Sequence, residues 1–201
     1  MTDLLVASRN PKKLAELRRV LDVAGVAGLS LISLSDVPAF DEAPEIGATF
    51  EENASAKAAD GFAATGLACV ADDSGISVDA LNGMPGVLSA RWSGAHGDDA
   101  ANTALLLAQM SDVPDERRGA AFVSACALVS AAGTTVVRGE WTGLVTREPR
   151  GAGGFGYDPI FLPEGSSRTA AELSPAEKDA ASHRGRALAL LVPALRELAA
   201  G

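Results

Sequence analysis

Apolar residues in this chain fall in short blocks, and the period within each block predicts its element. Leu4-Leu5-Val6-Ala7 reads as a first strand. Leu14, Leu17 and Leu21 then recur at helical spacing. Asn10 suits the N-cap of that helix and Pro11 its first turn. Leu31 to Leu34 reads as a second strand. Residues 36–45 are acidic and hold Pro38 and Pro44, so a loop is predicted, with Asp41, Glu42 and Glu45 as candidates for a solvated face. Thr49-Phe50-Glu51-Glu52 is a capping box, and Phe50, Ala54 and Gly61 share one face of the helix it opens. Leu67 to Ala71 has the length of a buried strand, and Ile76-Ser77-Val78 resumes the pattern beyond a polar interruption.

Downstream, residues 81–86 are rich in turn formers. Asp98 can cap a helix to about Met110, with Ala101, Ala104, Leu105 and Ala108 inward. Ala120 to Val129 is apolar on both alternating faces, as in a central strand. Ala132-Gly133 permits a turn, and Thr134 to Trp141 reads as an antiparallel partner, which points to a mixed sheet. Pro159 to Pro163 is a short strand. Ser174, Pro175 and Glu177 open another helix. Residues 182–185 interrupt, and Leu188, Leu191, Val192 and Leu195 line a last helix that Pro193 would bend.

Composition narrows the class. The chain has 201 residues, enough for one domain or one domain of two lobes. A net charge of −9 argues against a general nucleic-acid binder. The N-terminus carries no cationic lead and long apolar core, so no signal peptide is expected, and no stretch is long and apolar enough to span a membrane. A cytoplasmic protein is expected. Cys69 and Cys126 each sit in an apolar run and read as buried free thiols.

Candidate chemistry lies where polar residues break the apolar blocks. Asp72 and Asp73 follow a buried strand, where charge is costly unless paired or bound to a metal. In extended chain they face opposite sides, so one at most serves a given site. A polar turn is the plainer alternative, and spacing does not decide which aspartate matters. Lys57 lies on the inward stripe of its helix with Asn53 beside it, which is unusual for a lysine. It either snorkels to the edge or meets a buried anion, with Asp72 and Asp73 on the next strand as candidates. Lys12 and Lys13 fall in the first turn of their helix, where the dipole disfavours cations. A bound phosphate would remove that conflict, with Ser8, Asn10 and free N–H groups as further donors. Residues 150–159 form a glycine-rich loop in which Phe155 and Tyr157 offer flat faces for a base and Asp158 a reader of its edge; two packed aromatics in a tight turn are the alternative. His183 and Arg184 stand one short helix from Lys178 and could hold a nucleotide.

Together these pieces resemble the inosine/xanthosine triphosphate pyrophosphatase family. The matching blocks are residues 8–13, 45–54, Lys57-Ala58, 71–75, 153–159 and 182–185, in family order over almost the whole chain. The resemblance implies an α/β fold of two lobes around a long mixed β-sheet with flanking helices, the active site in the inter-lobe cleft. It implies a homodimer, Mg²⁺, and hydrolysis of a noncanonical purine nucleoside triphosphate to monophosphate and pyrophosphate. By the same resemblance, Ser8, Arg9, Asn10, Pro11, Lys12 and Lys13 hold the triphosphate with help from Lys57. Glu45 and Asp73 bind the metal, Asp73 also resembles the general base, and Ser74 touches substrate. Phe155, Gly156, Tyr157, Asp158, Lys178, His183 and Arg184 form the base pocket. A related pyrophosphatase for pyrimidine or methylated nucleotides, and a sensing module without turnover, are the rival readings.

Overall fold

The computed structural model describes residues 1–41 and 44–201; the surface expectation for Glu42 lies outside the described residues. Its strands are β1 (Thr2–Val6), β2 (Leu29–Ser33), β3 (Ala68–Val78), β4 (Gly119–Ser130), β5 (Gly133–Val145) and β6 (Phe161–Pro163). Its helices are α1 (Pro11–Val23), α2 (Phe50–Thr65), α3 (Asp99–Gln109), α4 (Pro175–Ala181) and α5 (His183–Ala200). The strands form one sheet in the order β2-β1-β3-β4-β5-β6. β1 pairs in parallel with both β2 and β3, so Leu4 sits between Leu31 and Ala68, whereas β5 and β6 are antiparallel. Only two residues join β4 to β5, a connection that requires an antiparallel hairpin. The sheet is therefore mixed, and the α/β class follows.

The chain divides into two compact units. Unit 1 holds residues 1–73, 124–139 and 184–201; unit 2 holds residues 74–123 and 140–183. The core of unit 1 gathers Leu4, Val6 and Val70 with Leu17 and Leu21 of α1 and Leu188, Leu191 and Leu195 of α5. The helical spacings noted in the sequence thus mark its core-facing stripes. Gly61 lets α2 come close to β3: a Cβ there would lie 2.5 Å from Cys69 Sγ. The core of unit 2 is built on Phe122, Trp141, Tyr157 and Phe161, with Leu106 of α3 and Met110 at its C-terminal cap.

Several expectations are corrected. β3 is one unbroken strand, so Asp72 to Gly75 is no turn. The continuity depends on Gly75, where a Cβ would lie 2.5 Å from the Gly86 carbonyl oxygen and collide with Ser89 Oγ. The inward face of α3 is Asn102, Thr103 and Leu106, while Ala104, Leu105 and Ala108 face solvent. The cause is polar: Asn102 accepts from Ser93 N at 2.7 Å and donates to the Ala90 carbonyl at 3.2 Å, so its burial satisfies two loop groups. The break before the last helix is a single residue, Ser182, and His183 and Arg184 already belong to α5.

Candidate functional site

Three groups of the residues singled out in the sequence lie in unit 1. The first forms around Lys57. Thr49 caps α2 by accepting from Glu52 N at 3.1 Å. Glu52 closes the box one residue early, on Ala48 N at 2.6 Å. From that anchored turn, Lys57 is carried into the interior, where its Nζ donates to Glu45 Oε1 at 2.8 Å and to Asp73 Oδ1 at 3.1 Å. Asn53 donates to the other oxygen of Asp73 at 3.0 Å and accepts from Gly47 N at 2.8 Å. Asn53 is 2% exposed and Asp73 8%. Burial alone would lower the Lys57 pKa, but Asp73, Glu45 and Asp72 together outweigh it, and the ammonium is held above its ordinary value. Asp73 of β3 and Glu45 of the loop before α2 thus present two carboxylates to a single cation.

The second group lies around Asp72, on the opposite side of the strand, as alternation requires. Lys13 Nζ is 2.8 Å from Asp72 Oδ2, and Arg184 Nε donates to the same oxygen at 3.2 Å. Arg184 also meets Glu16 at 3.4 Å. Two cations and two carboxylates balance. Burial would raise the Asp72 pKa, yet Lys13 and Arg184 overcome it and depress the carboxyl strongly. Burial would likewise lower Arg184, but Asp72 and Glu16 raise it. A cavity of about 20 Å³, room for one water, is lined by Lys13, Asp72, Cys126 and Arg184 among others. The conflict of a lysine in the first turn of α1 is therefore resolved for Lys13 by a carboxylate of the chain itself.

The third group is the start of α1. Asn10 caps it through its side chain, which accepts from Lys12 N at 3.0 Å, and Asn10 N donates to Ser8 Oγ at 3.2 Å. Arg9, Pro11 and Lys12 are exposed around it.

Unit 2 holds the glycine-rich loop. Asp158 is buried, and its carboxylate accepts from Phe155 N at 2.8 Å and from Lys178 Nζ. Lys178 reaches it from α4, whose cap, Ser174, and Glu177 close a capping box. Lys178 Nζ also lies 4.9 Å from the Phe155 ring centroid. Phe155 is 41% exposed, so part of its ring faces solvent. That of Tyr157 does not: it is 4% exposed, and its hydroxyl donates to the Ser89 carbonyl at 2.8 Å. Burial, with Asp99 nearby, pushes the phenol pKa up. Tyr157 is thus a core residue rather than a platform. The Asp158 side chain is likewise an internal brace, which leaves backbone groups for reading a base edge. His183 stacks on Phe122 with centroids 4.9 Å apart. Ser74 stands at the start of unit 2, next to Asp73 in the chain.

The residues expected to form a base pocket therefore divide. Phe155, Asp158 and Lys178 make one bonded group and His183 stands on Phe122, all in unit 2, whereas the Arg184 guanidinium is committed to Asp72 and Glu16 in unit 1. Glu16 was missed from the sequence, although it stands one helical turn after Lys13, the spacing at which two side chains share a face.

A model of the Ham1 family matches residues 4–194 of the chain. The chain is 78% identical over 200 residues to the dITP/XTP pyrophosphatase of Mycolicibacterium paratuberculosis, a match covering 99% of this chain and 98% of that one. It is 76% identical over 201 residues to the dITP/XTP pyrophosphatase of Mycobacterium tuberculosis, covering 100% and 98%. Among solved structures, a nucleoside-triphosphatase / dITP/XTP pyrophosphatase from Mycobacterium abscessus is 70% identical, with a TM-score of 0.82 over 97% of this chain and 100% of that one. A HAM1 protein from Coxiella burnetii is 40% identical with a TM-score of 0.88, over 98% and 100%.

Proposed function

The chain belongs to the Ham1 family, and from that premise we propose that it hydrolyses the noncanonical purine nucleoside triphosphates dITP, ITP and XTP to the monophosphate and pyrophosphate. The observation that carries this reading is the convergence of Glu45 and Asp73 on Lys57, with Asn53 fixing Asp73 from the other side. An oxygen-only pair of carboxylates suits a hard divalent cation, and Mg²⁺ is commonly bound by one or two carboxylates plus substrate phosphates. Glu45 and Asp73 would hold it. The ion, when bound, neutralises charge on the phosphates and the pyrophosphate leaving group.

The protein's own part is positioning and charge. Lys13, Lys12 and Arg9, with the N–H groups at the start of α1, bind phosphate oxygens. Lys57 holds the Asp73 carboxylate in place, and Asp73 orients the attacking water and takes its proton. Phe155 stacks against the base. Hypoxanthine and xanthine present a 6-oxo acceptor and an N1–H donor, the reverse of adenine. A site built for that edge leaves its polar groups unpaired with adenine, a penalty that can reach ~10⁴-fold or more. Backbone donors near Asp158, with His183, are the groups we assign to that reading; Arg184, expected to join them, is held instead by Asp72 and Glu16. In the same proposal the chain is one domain of two lobes, acts as a cytoplasmic homodimer and needs no nucleic acid or membrane partner.

Product analysis tests the reaction. Purified protein with Mg²⁺ and equal amounts of ITP, XTP, dITP, ATP and GTP should release pyrophosphate with IMP, XMP or dIMP and largely spare ATP and GTP. Orthophosphate with a diphosphate would mean a different phosphatase. Tight binding with no turnover would mean a sensing module.

A further inference from the structure

We propose that Asp99, in the first turn of α3, is a positioning residue for base recognition: it clamps the glycine-rich loop so that Phe155 is presented in one fixed orientation. The inference rests on the assignment of Phe155 to the base, made above.

Phe155 stands between Gly154 and Gly156, whose φ values of +76° and +61° lie in the left-handed region. Such a run has little stiffness of its own, because glycine leaves the most backbone freedom to be lost. An exposed aromatic carried on it would sample many orientations, and a ligand stacking on the ring would have to order it. The structure supplies restraint from within the loop on one side of Phe155 and from α3 on the other. On the N-terminal side, Phe155 N is held by the buried Asp158 carboxylate at 2.8 Å. On the C-terminal side, Gly156 N donates to Asp99 Oδ2 at 2.7 Å. Thr103, one turn further along α3, reaches the Gly156 carbonyl at 3.4 Å. Both polar groups of one peptide segment therefore end on a single helix.

Asp99 is not needed as the cap of α3, because Asp98 fills that role by accepting from Ala101 N at 3.0 Å. α3 is itself fixed in the unit 2 core through Leu106. A charge-assisted hydrogen bond to a glycine amide, drawn from a rigid helix, is a strong and directional tether. The chemistry thus assigns Asp99 to the loop rather than to the helix.

The test separates base recognition from phosphate binding. Asp99→Ala should raise KM for dITP and XTP and the Kd for IMP about 3- to 10-fold, by restoring the ordering cost to the binding step. Inhibition by inorganic tripolyphosphate, which has no base, should stay within experimental error of the parent, and kcat should change little. Asp99→Asn keeps a side-chain oxygen to accept from Gly156 N, so it should recover part of the loss. The thermal midpoints should agree closely. Equal weakening of tripolyphosphate and nucleotide, or an Asp99→Ala protein with unchanged KM and IMP affinity, would overturn the proposal. If the parent turned over none of the triphosphates, the function proposed above would fall, while IMP titration of parent and variant would still decide the clamp.

Discussion

Asp72 and Asp73 sit side by side on β3 and answer to different cations, Lys13 and Arg184 for the first and Lys57 for the second. Asp73→Asn keeps the shape and the Asn53 contact but removes the charge and the proton acceptor, so kcat should fall ~10²- to 10⁴-fold with the fold intact, as single-turnover assays and circular dichroism would show. Asp72 predicts a pH effect instead. Its carboxyl is depressed below the ordinary value of 3.8, so its contribution to stability is complete above that value and is lost as pH falls further. Urea unfolding between about pH 2 and pH 7 should show a shallower acid limb in Asp72→Asn than in the parent. Lys57 runs the other way: its raised pKa gives stability that is complete below 10.5 and lost only in stronger alkali. Arg184→Met removes the buried cation that Asp72 and Glu16 share and should cost about 3–5 kcal/mol in the same unfolding experiment.

At the level of elements, the local pattern was a good guide where one residue type serves one purpose. The caps at Asn10, Thr49, Asp98 and Ser174 are all in place. The alternation that sends Asp72 and Asp73 to opposite sides also held, because a strand has no freedom to do otherwise. What failed were features decided by distant partners. The polar turn, the plainer alternative for Asp72 to Gly75, gives way to a continuous strand because Lys13, Arg184, Lys57 and Asn53 neutralise or pair its charges, and none of those partners is nearby in sequence. The face of α3 was misjudged because Asn102 is buried by hydrogen bonds to a loop, which no hydrophobic period records. Tyr157 looked like a platform until its partner, the Ser89 carbonyl, was known. β3 also carries a test of its own. Gly75→Ala places a methyl group against Ser89 and Gly86, and Ser89 Oγ is already bound to Ile76 N at 2.9 Å and to the Gly86 carbonyl at 2.6 Å. With no room to give, the variant should lose about 1–3 kcal/mol, read as a lower urea midpoint.

For the molecule as a whole, β3, β4 and β5 each contribute residues to both compact units. A strand cannot keep its ladder at one end when the other end melts without fraying toward the break. The units are therefore expected to unfold together. Trp92 and Trp141 both belong to unit 2, so their near-ultraviolet signal reports that unit, while far-ultraviolet dichroism reports all helices and strands. The two melting curves should superimpose; a tryptophan transition displaced from the far-ultraviolet one would show that the units separate.

The buried cysteines give the complementary view. Cys69 and Cys126 are both inaccessible, both lie in unit 1, and burial pushes each thiol up to about 12. A thiol that is neither exposed nor ionised does not react with an electrophile until the structure around it opens. In the folded protein the sulfurs are therefore silent, and under denaturing conditions both should titrate. The rate at which a disulfide reagent or maleimide consumes them in native buffer becomes a clock for the opening of unit 1, with no label or mutation introduced. Saturating nucleotide should slow that clock by the factor with which it favours the closed state.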